Sequence, residues 1–222
     1  AKTAMAVKSF DLQTFATKQC NVWYCAEDRS LCTYEQLMAC RVKYDMDTVV
    51  KAGYKFWYLG MDLAQVLDLA SVNWQVYVYE DAQGNLVAPG AEYARKRLFV
   101  HTISWMPKNK LDSHVAGDKF CYYDYLGTEL QLCEAAGGDN IDINQIYQYI
   151  KDIREKYDIY YTTITADPYN VAGIEEKLAD ICDNFILQNQ SPKALSQYIE
   201  ALSQEFKDGN VAYCGGQEDI FE

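Results

Sequence analysis

The spacing of apolar residues changes character along this chain, and each change marks an element. Phe56-Trp57-Tyr58-Leu59-Gly60 is an unbroken apolar run of strand length and predicts a buried strand over 55–61. Residues 73–80 alternate, with Trp74, Val76 and Val78 against Asn73, Gln75 and Tyr77, and predict a strand with one buried face. A turn rich in Gly, Asn and Asp follows over 80–85, and a third strand is predicted over 96–105, closed by Pro107. Residues 106–140 read as loop with a short strand near Leu130-Gln131-Leu132-Cys133. The period then shifts to that of a helix. Ile143, Ile146, Tyr147, Ile150 and Ile153 predict one over 143–156, capped by Asp142. A strand at 159–165, a helix at 171–180 and a strand at 184–188 come next. A helix over 192–207 has Pro192 in its first turn and Gly209 beyond its end, and a short strand at 211–213 closes the order.

Three meandering strands followed by helix–strand alternation predict an α/β fold, a mixed sheet with helices on both faces. Residues 1–54 are less regular and contain a helix-like piece at 34–40. They are expected to form a leader or linker segment packed on a body formed by 55–222.

Composition narrows the class. With 222 residues, half of them apolar, the chain suits one generous domain. Its 19 tyrosines are read as core and packing rather than as a platform for bases. No run approaches the ~20 apolar residues that span a bilayer, and the first residues lack the order of a signal peptide, so a soluble intracellular protein without a membrane partner is expected. The eight cysteines form no C-x2-C pair and are read as reduced, mostly buried thiols. The net charge of −12 argues against a broad nucleic-acid-binding surface. It leaves Arg95-Lys96-Arg97 as the one dense basic cluster and the best candidate contact for a phosphate backbone. His101 and His114 have no ligand-like spacing, and Asp124 reads as a surface residue.

Two aspartates carry the candidate chemistry. Asp62 ends the first predicted strand and Asp167 ends the strand after the long helix, and sites in α/β sheets gather at the carboxyl ends of strands. If those strands are neighbours, the carboxylates stand about one strand spacing, ~5 Å, apart and repel unless a cation lies between them. Oxygen ligands of this kind suit Mg²⁺ or Mn²⁺, and two such ions can clamp the attacking and leaving oxygens of a phosphodiester. The bland alternatives are a turn cap at Asp62 and an Asp-Pro turn starter at Asp167. Asp68 and Asn170 are read as supporting residues, Asp68 through the turn that positions Asp62 and Asn170 as the cap of the following helix.

Several segments together resemble the C-terminal nuclease domain of the large terminase subunit of tailed bacteriophages, a ribonuclease H-like domain. They are Gly60-Met61-Asp62-Leu63-Ala64 with Asp68-Leu69-Ala70-Ser71, Trp105-Met106-Pro107, Asp167-Pro168-Tyr169-Asn170, and Gln188-Asn189-Gln190-Ser191-Pro192. Phe15-Ala16-Thr17-Lys18-Gln19-Cys20-Asn21-Val22-Trp23 is similar to the segment that joins the ATPase motor to the nuclease in that family. The resemblance implies a metal-dependent endonuclease of viral DNA packaging in the host cytoplasm, cutting concatemeric double-stranded DNA. It implies as partners the motor domain of the same subunit, the portal protein and the small terminase subunit. No G-x-x-x-x-G-K-(S/T) segment is present, so the motor is not in these residues. The family also draws a third metal-binding aspartate from a late segment. Asp219 is the only aspartate beyond the last predicted strand, and it stands too early to match. A docking module that has lost this ligand, or an unrelated α/β binding domain, are the competing readings.

Overall fold

The strict alternation of apolar residues builds a single mixed sheet. The computed structural model describes residues 31–64, 69–118 and 120–215. Among them the strands are β1 (Arg41–Val42), β2 (Phe56–Asp62), β3 (Ala70–Glu80), β4 (Leu86–Val87), β5 (Arg95–Pro107), β6 (Leu130–Cys133), β7 (Tyr160–Ala166), β8 (Cys182–Leu187) and β9 (Val211–Cys214). The helices are α1 (Tyr34–Ala39), α2 (Met46–Lys51), α3 (Leu111–Asp118), α4 (Ile143–Tyr157), α5 (Glu175–Ala179) and α6 (Pro192–Lys207). The strand order is β1-β9-β5-β3-β2-β7-β8, with β4 beside β3 and β6 beside β5. β2, β3 and β5 form an antiparallel meander, while β7, β8 and β9 join in parallel, as expected for meander followed by crossovers.

One face of the sheet carries the core. Trp57, Leu59, Met61, Val72, Trp74, Val76, Phe99, Ile103, Trp105, Tyr161, Ile164 and Ala166 all point there and are buried. α4 closes this face with Ile146 and Ile150. The Tyr161 hydroxyl donates to the Ile150 carbonyl at 2.9 Å and accepts from Trp74 Nε1 at 3.1 Å, which satisfies the polar atoms of two large buried rings. Asp142 caps α4 through Asn144 N, and Ser191 caps α6 with Pro192 behind it.

Differences from the sequence reading have local causes. The helix expected at 171–180 is confined to α5, because Gly173 takes the left-handed region at φ +95° and interrupts it. The stretch expected as loop over 106–140 contains α3 and short 3-10 turns around a second small core of Met106, Leu111 and Leu130. α2 was not expected. Asp45 caps it through Thr48 N, and Met46, Val49 and Val50 enter the main core. Thus residues 41–54 supply a strand and a helix to the sheet and core, whereas residues 1–30 of the expected leader lie outside the described residues. Of the six described cysteines, all free, only Cys40 and Cys133 are buried and Cys121 is exposed. Burial pushes the thiols of Cys133, Cys182 and Cys214 up, away from reactivity.

The tyrosines divide between the faces. Tyr44, Tyr54 and Tyr161 are core, but Tyr58, Tyr77 and Tyr160 stand exposed beside Phe56 on the opposite face. α6 turns none of its residues into the core. Its C-terminal end is tied instead by Arg95, whose Nη2 donates to the Asp208 carbonyl at 2.6 Å.

The basic triplet is dismantled by alternation. Arg97 is on the core face, 6% exposed, where Nη1 meets both oxygens of buried Glu80 at 3.0 and 3.1 Å and Nη2 donates to the carbonyls of Cys40 and Val211. The Tyr44 hydroxyl donates to the same carboxylate at 2.6 Å, and burial raises the pKa of that phenol, with the hydrogen bond to Glu80 adding to it. Lys96 lies on the other face, 3.9 Å above the Tyr77 ring. Arg97 therefore cannot present its charge to a phosphate backbone as the sequence reading expected, because its guanidinium is buried and engaged. Arg97→Met should strand the Glu80 carboxylate and cost about 3–5 kcal/mol, whereas a Glu80→Leu/Arg97→Met double variant should recover much of that loss. Urea denaturation midpoints measure both.

Candidate active site

β2 and β7 bring Asp62 and Asp167 to one edge. The strands pair in parallel, in register from Gly60 with Thr165 to Met61 with Ala166. At that last pair the backbones are about 5 Å apart, and Asp62 and Asp167 are the next residue on each strand. Met61 and Ala166 are buried on the α4 face, so alternation turns the following residues to the open face. Asp62 is exposed and Asp167 half-buried. Among the described residues the Asp62 side chain makes no hydrogen bond or ion pair, and no Lys, Arg or His is bonded to either carboxylate. One oxygen of Asp167 accepts from Tyr169 N at 3.0 Å, so the turn role that Asp-Pro suggests is present and occupies one oxygen only.

Asn170 does not cap a helix. Its Nδ2 donates to the Leu63 carbonyl at 2.5 Å, tying the loop after Asp167 to the residue after Asp62. The α5 cap position is Ile174, without a side-chain bond. Asp68 and Asp219 lie outside the described residues. Asp124 sits exposed in a 3-10 turn, and His101 packs on the core face against Trp74 at 6.2 Å between centroids, its pKa lowered by burial.

The surroundings of Asp62 on the open face are small and polar. Ser71, its partner on β3, bonds Ser104 of β5 at 2.9 Å between hydroxyl oxygens. One row back, Asn73 Nδ2 donates to Thr102 Oγ1 at 2.6 Å, and Gln75 Nε2 donates to Asn73 Oδ1 at 2.8 Å. β5 runs on for three residues past Ser104 in the same direction as β2, so its end at Pro107 reaches about 10 Å beyond this edge. Sequence reasoning missed both the Asn170 clasp and this polar row. Alternation through Ser71, Asn73 and Gln75 was the available signal for the row.

Paired acids on a divalent-cation scale suit hard oxygen-seeking ions, and the unpartnered Asp62 carboxylate leaves its donor atoms available. Among the described residues no group of three or more His, Cys, Asp or Glu gathers around a common point, so the described donors number two side chains there.

A mixed sheet of this order, with an acid at the end of β2 and another just past the end of the neighbouring parallel strand β7, is a ribonuclease H-like fold. Residues 1–217 match the family described as terminase large subunit, endonuclease domain, and the chain belongs to that family. The crystal structure of the HK97 bacteriophage large terminase is similar with a TM-score of 0.58 and 16% identity, over 82% of this chain and 33% of that one. The likeness is one of fold, and this chain spans about a third of that terminase's length. No curated protein sequence matches the chain. No helix among the described residues is long and apolar enough to cross a membrane.

The clasp yields a prediction. Asn170→Ala should cost about 1 kcal/mol of stability, the scale of one hydrogen bond, and weaken Mn²⁺ binding several-fold by freeing Leu63 and with it Asp62. Calorimetric Mn²⁺ titration beside a thermal melt checks it. Unchanged Mn²⁺ affinity would show that the clasp serves the loop alone.

Proposed function

We propose that this domain is the metal-dependent endonuclease of a viral DNA-packaging terminase and cuts concatemeric double-stranded DNA. The observation that carries the reading is the register of β2 on β7, which supports a shared carboxylate pair made by Asp62 and Asp167. Family membership supports the substrate class. Two carboxylates about a strand spacing apart would repel each other, and no protein cation is bonded to either among the described residues, which favours a divalent counter-ion. Mg²⁺ or Mn²⁺ held there, as a pair of ions, would supply Lewis-acid activation of water and charge neutralisation at the phosphate. The chain's own contributions are to hold two oxygen ligands at fixed separation, to fix Asp167 by Tyr169 N–H, and to hold the Asp62 loop through Asn170.

DNA reaches this acidic domain with help. A net charge of −12 opposes binding of a phosphate backbone, and with Arg97 buried only Arg95 and Lys96 of the triplet remain exposed, so they are retained as weak DNA contacts. The motor domain, the portal protein and the small subunit would supply attraction and raise the effective concentration of DNA at the edge.

Asp62→Asn and Asp167→Asn should each abolish Mn²⁺-dependent nicking of plasmid DNA, with thermal stability retained because both side chains lie at the solvent edge. Nicking by the unchanged chain should change little as NaCl rises to physiological strength, because only Arg95 and Lys96 of the triplet would neutralise phosphates and salt also screens the repulsion from the net charge. Retained nicking in both variants would place any nuclease activity elsewhere. A complete lack of nicking and of Mn²⁺ binding by the unchanged chain would favour the docking-module reading.

A further inference from the structure

Gly60 sits in the interior of β2, two residues before Asp62 and on the same open face. Glycine weakens a strand interior, and it occurs there for a bulge, a tight bend or the close approach of another chain. The fold does not require it here. Its φ is outside the left-handed region, and the register shift in this ladder lies at Trp57 and Tyr58, away from Gly60. A Cβ built at Gly60 meets only Gln75 Nε2 at 3.7 Å and Asn73 Cβ at 4.0 Å among the described residues, which is ordinary contact. So a side chain would fit, and would do so on a central strand that favours one. What remains is close approach from the open side.

The residues around that gap identify what approaches. Gly60 is flanked in register by Asn73 on β3 and Thr165 on β7, with Thr102 beyond Asn73. Asn73 bonds both Thr102 and Gln75, and each of the three side chains keeps one further N–H or O–H hydrogen to donate. These donors carry no charge, and they stand in the rows next to the one that holds Asp62. Neutral donors beside a residue without a side chain suit the oxygens of a sugar–phosphate backbone, which accept hydrogen bonds at every residue and carry no edge code.

We infer that Gly60, with Asn73, Thr102 and Thr165, forms a floor on which the backbone of the DNA strand being cut is seated beside the carboxylates. The inference rests on the nuclease reading above. Gly60 is a positioning residue: it leaves room for the phosphate that must reach the Asp62 edge, and the donors fix the backbone's height above the sheet.

The test uses Gly60→Ala, Gly60→Val and Thr102→Val in the otherwise unchanged chain. Four quantities are read: plasmid nicking with Mn²⁺, dependence of the rate on DNA concentration, Mn²⁺ affinity by calorimetry, and the melting temperature. Gly60→Ala should lower nicking several-fold and Gly60→Val at least tenfold, the latter through a raised DNA concentration for half-maximal rate. Thr102→Val should lower nicking several-fold. All three should keep wild-type Mn²⁺ affinity, the two Gly60 variants with an unchanged or higher melting temperature and Thr102→Val folded with at most the loss of one exposed hydrogen bond. Wild-type nicking by both Gly60→Val and Thr102→Val overturns the floor and leaves the nuclease assignment standing. Loss of Mn²⁺ affinity or of folding in Gly60→Ala, which fits without a contact below 3.7 Å, assigns the glycine to the metal centre or the fold and also overturns it. Absence of Mn²⁺-dependent nicking by the unchanged chain overturns the nuclease reading and the floor with it.

Discussion

The parallel register of β2 on β7 is the constraint on which the candidate site depends. Side chains alternate with a period of two, so a slip by one residue would bury Asp62 together with Phe56 and Tyr58 and expose Trp57, Leu59 and Met61. Their burial holds the register from one strand, and Tyr161, Ile164 and Ala166 hold it from the other. The start of the ladder is pinned as well. Tyr160 N donates to the Lys55 carbonyl, and Lys55 Nζ reaches the last carbonyl of α4 at Tyr157. The irregularity in the ladder falls early, where Thr162 is the extra residue and its hydroxyl bonds the Trp57 carbonyl, so the pairing is regular from Tyr58 to the acid-bearing ends. The apolar core therefore sets the separation of two carboxylates that it never touches.

The same alternation explains which parts were legible beforehand. Strands with one apolar face and helices with one apolar stripe were readable, and so were the cap at Asp142 and the helix start at Pro192, because each rests on interactions local in sequence. Asp62 and Asp167 were readable as strand ends, whereas their being neighbours depends on β2 lying between β3 and β7, a non-local fact. α3 was not legible because Leu111 is its only buried residue and no stripe results. The Asn170 bond crosses 107 residues, and no spacing rule reaches that far. Arg95-Lys96-Arg97 is the opposite case. Once 96–105 is read as a strand, three consecutive basic residues must point to alternate faces, and the cluster cannot be one patch.

The two faces of the sheet are built to different requirements. The α4 face is closed by large rings, with the polar atoms of Trp57, Trp74 and Tyr161 paired within the core, and buried Arg97 gives both its Nη atoms to Glu80 and backbone carbonyls. That use of Arg97 ties α1's end at Cys40, β9 at Val211 and β3 at Glu80 to β5, so it joins the outer strands to the meander. The open face shows a gradient instead. Phe56, Tyr160 and Tyr77 stand exposed toward one end, and Ser71, Asn73, Thr102 and Ser104 lie toward the carboxylates.

That gradient bears on how an acidic protein handles an acidic polymer. Cations at the reaction edge would compete with a divalent ion for the carboxylates, because an ion pair to Asp62 or Asp167 would neutralise the ligand that a metal needs. With no Lys or Arg bonded to either carboxylate among the described residues, and hydroxyls and amides on the neighbouring rows, that competition is avoided while hydrogen-bond donors remain for a phosphate under the proposed reading. The cost is weak long-range attraction, since neutral donors act only at contact and the net charge of −12 repels at a distance. Attraction and chemistry are then separable duties. Under the proposed nuclease reading, such a domain would cut DNA delivered to it faster than DNA merely present in solution.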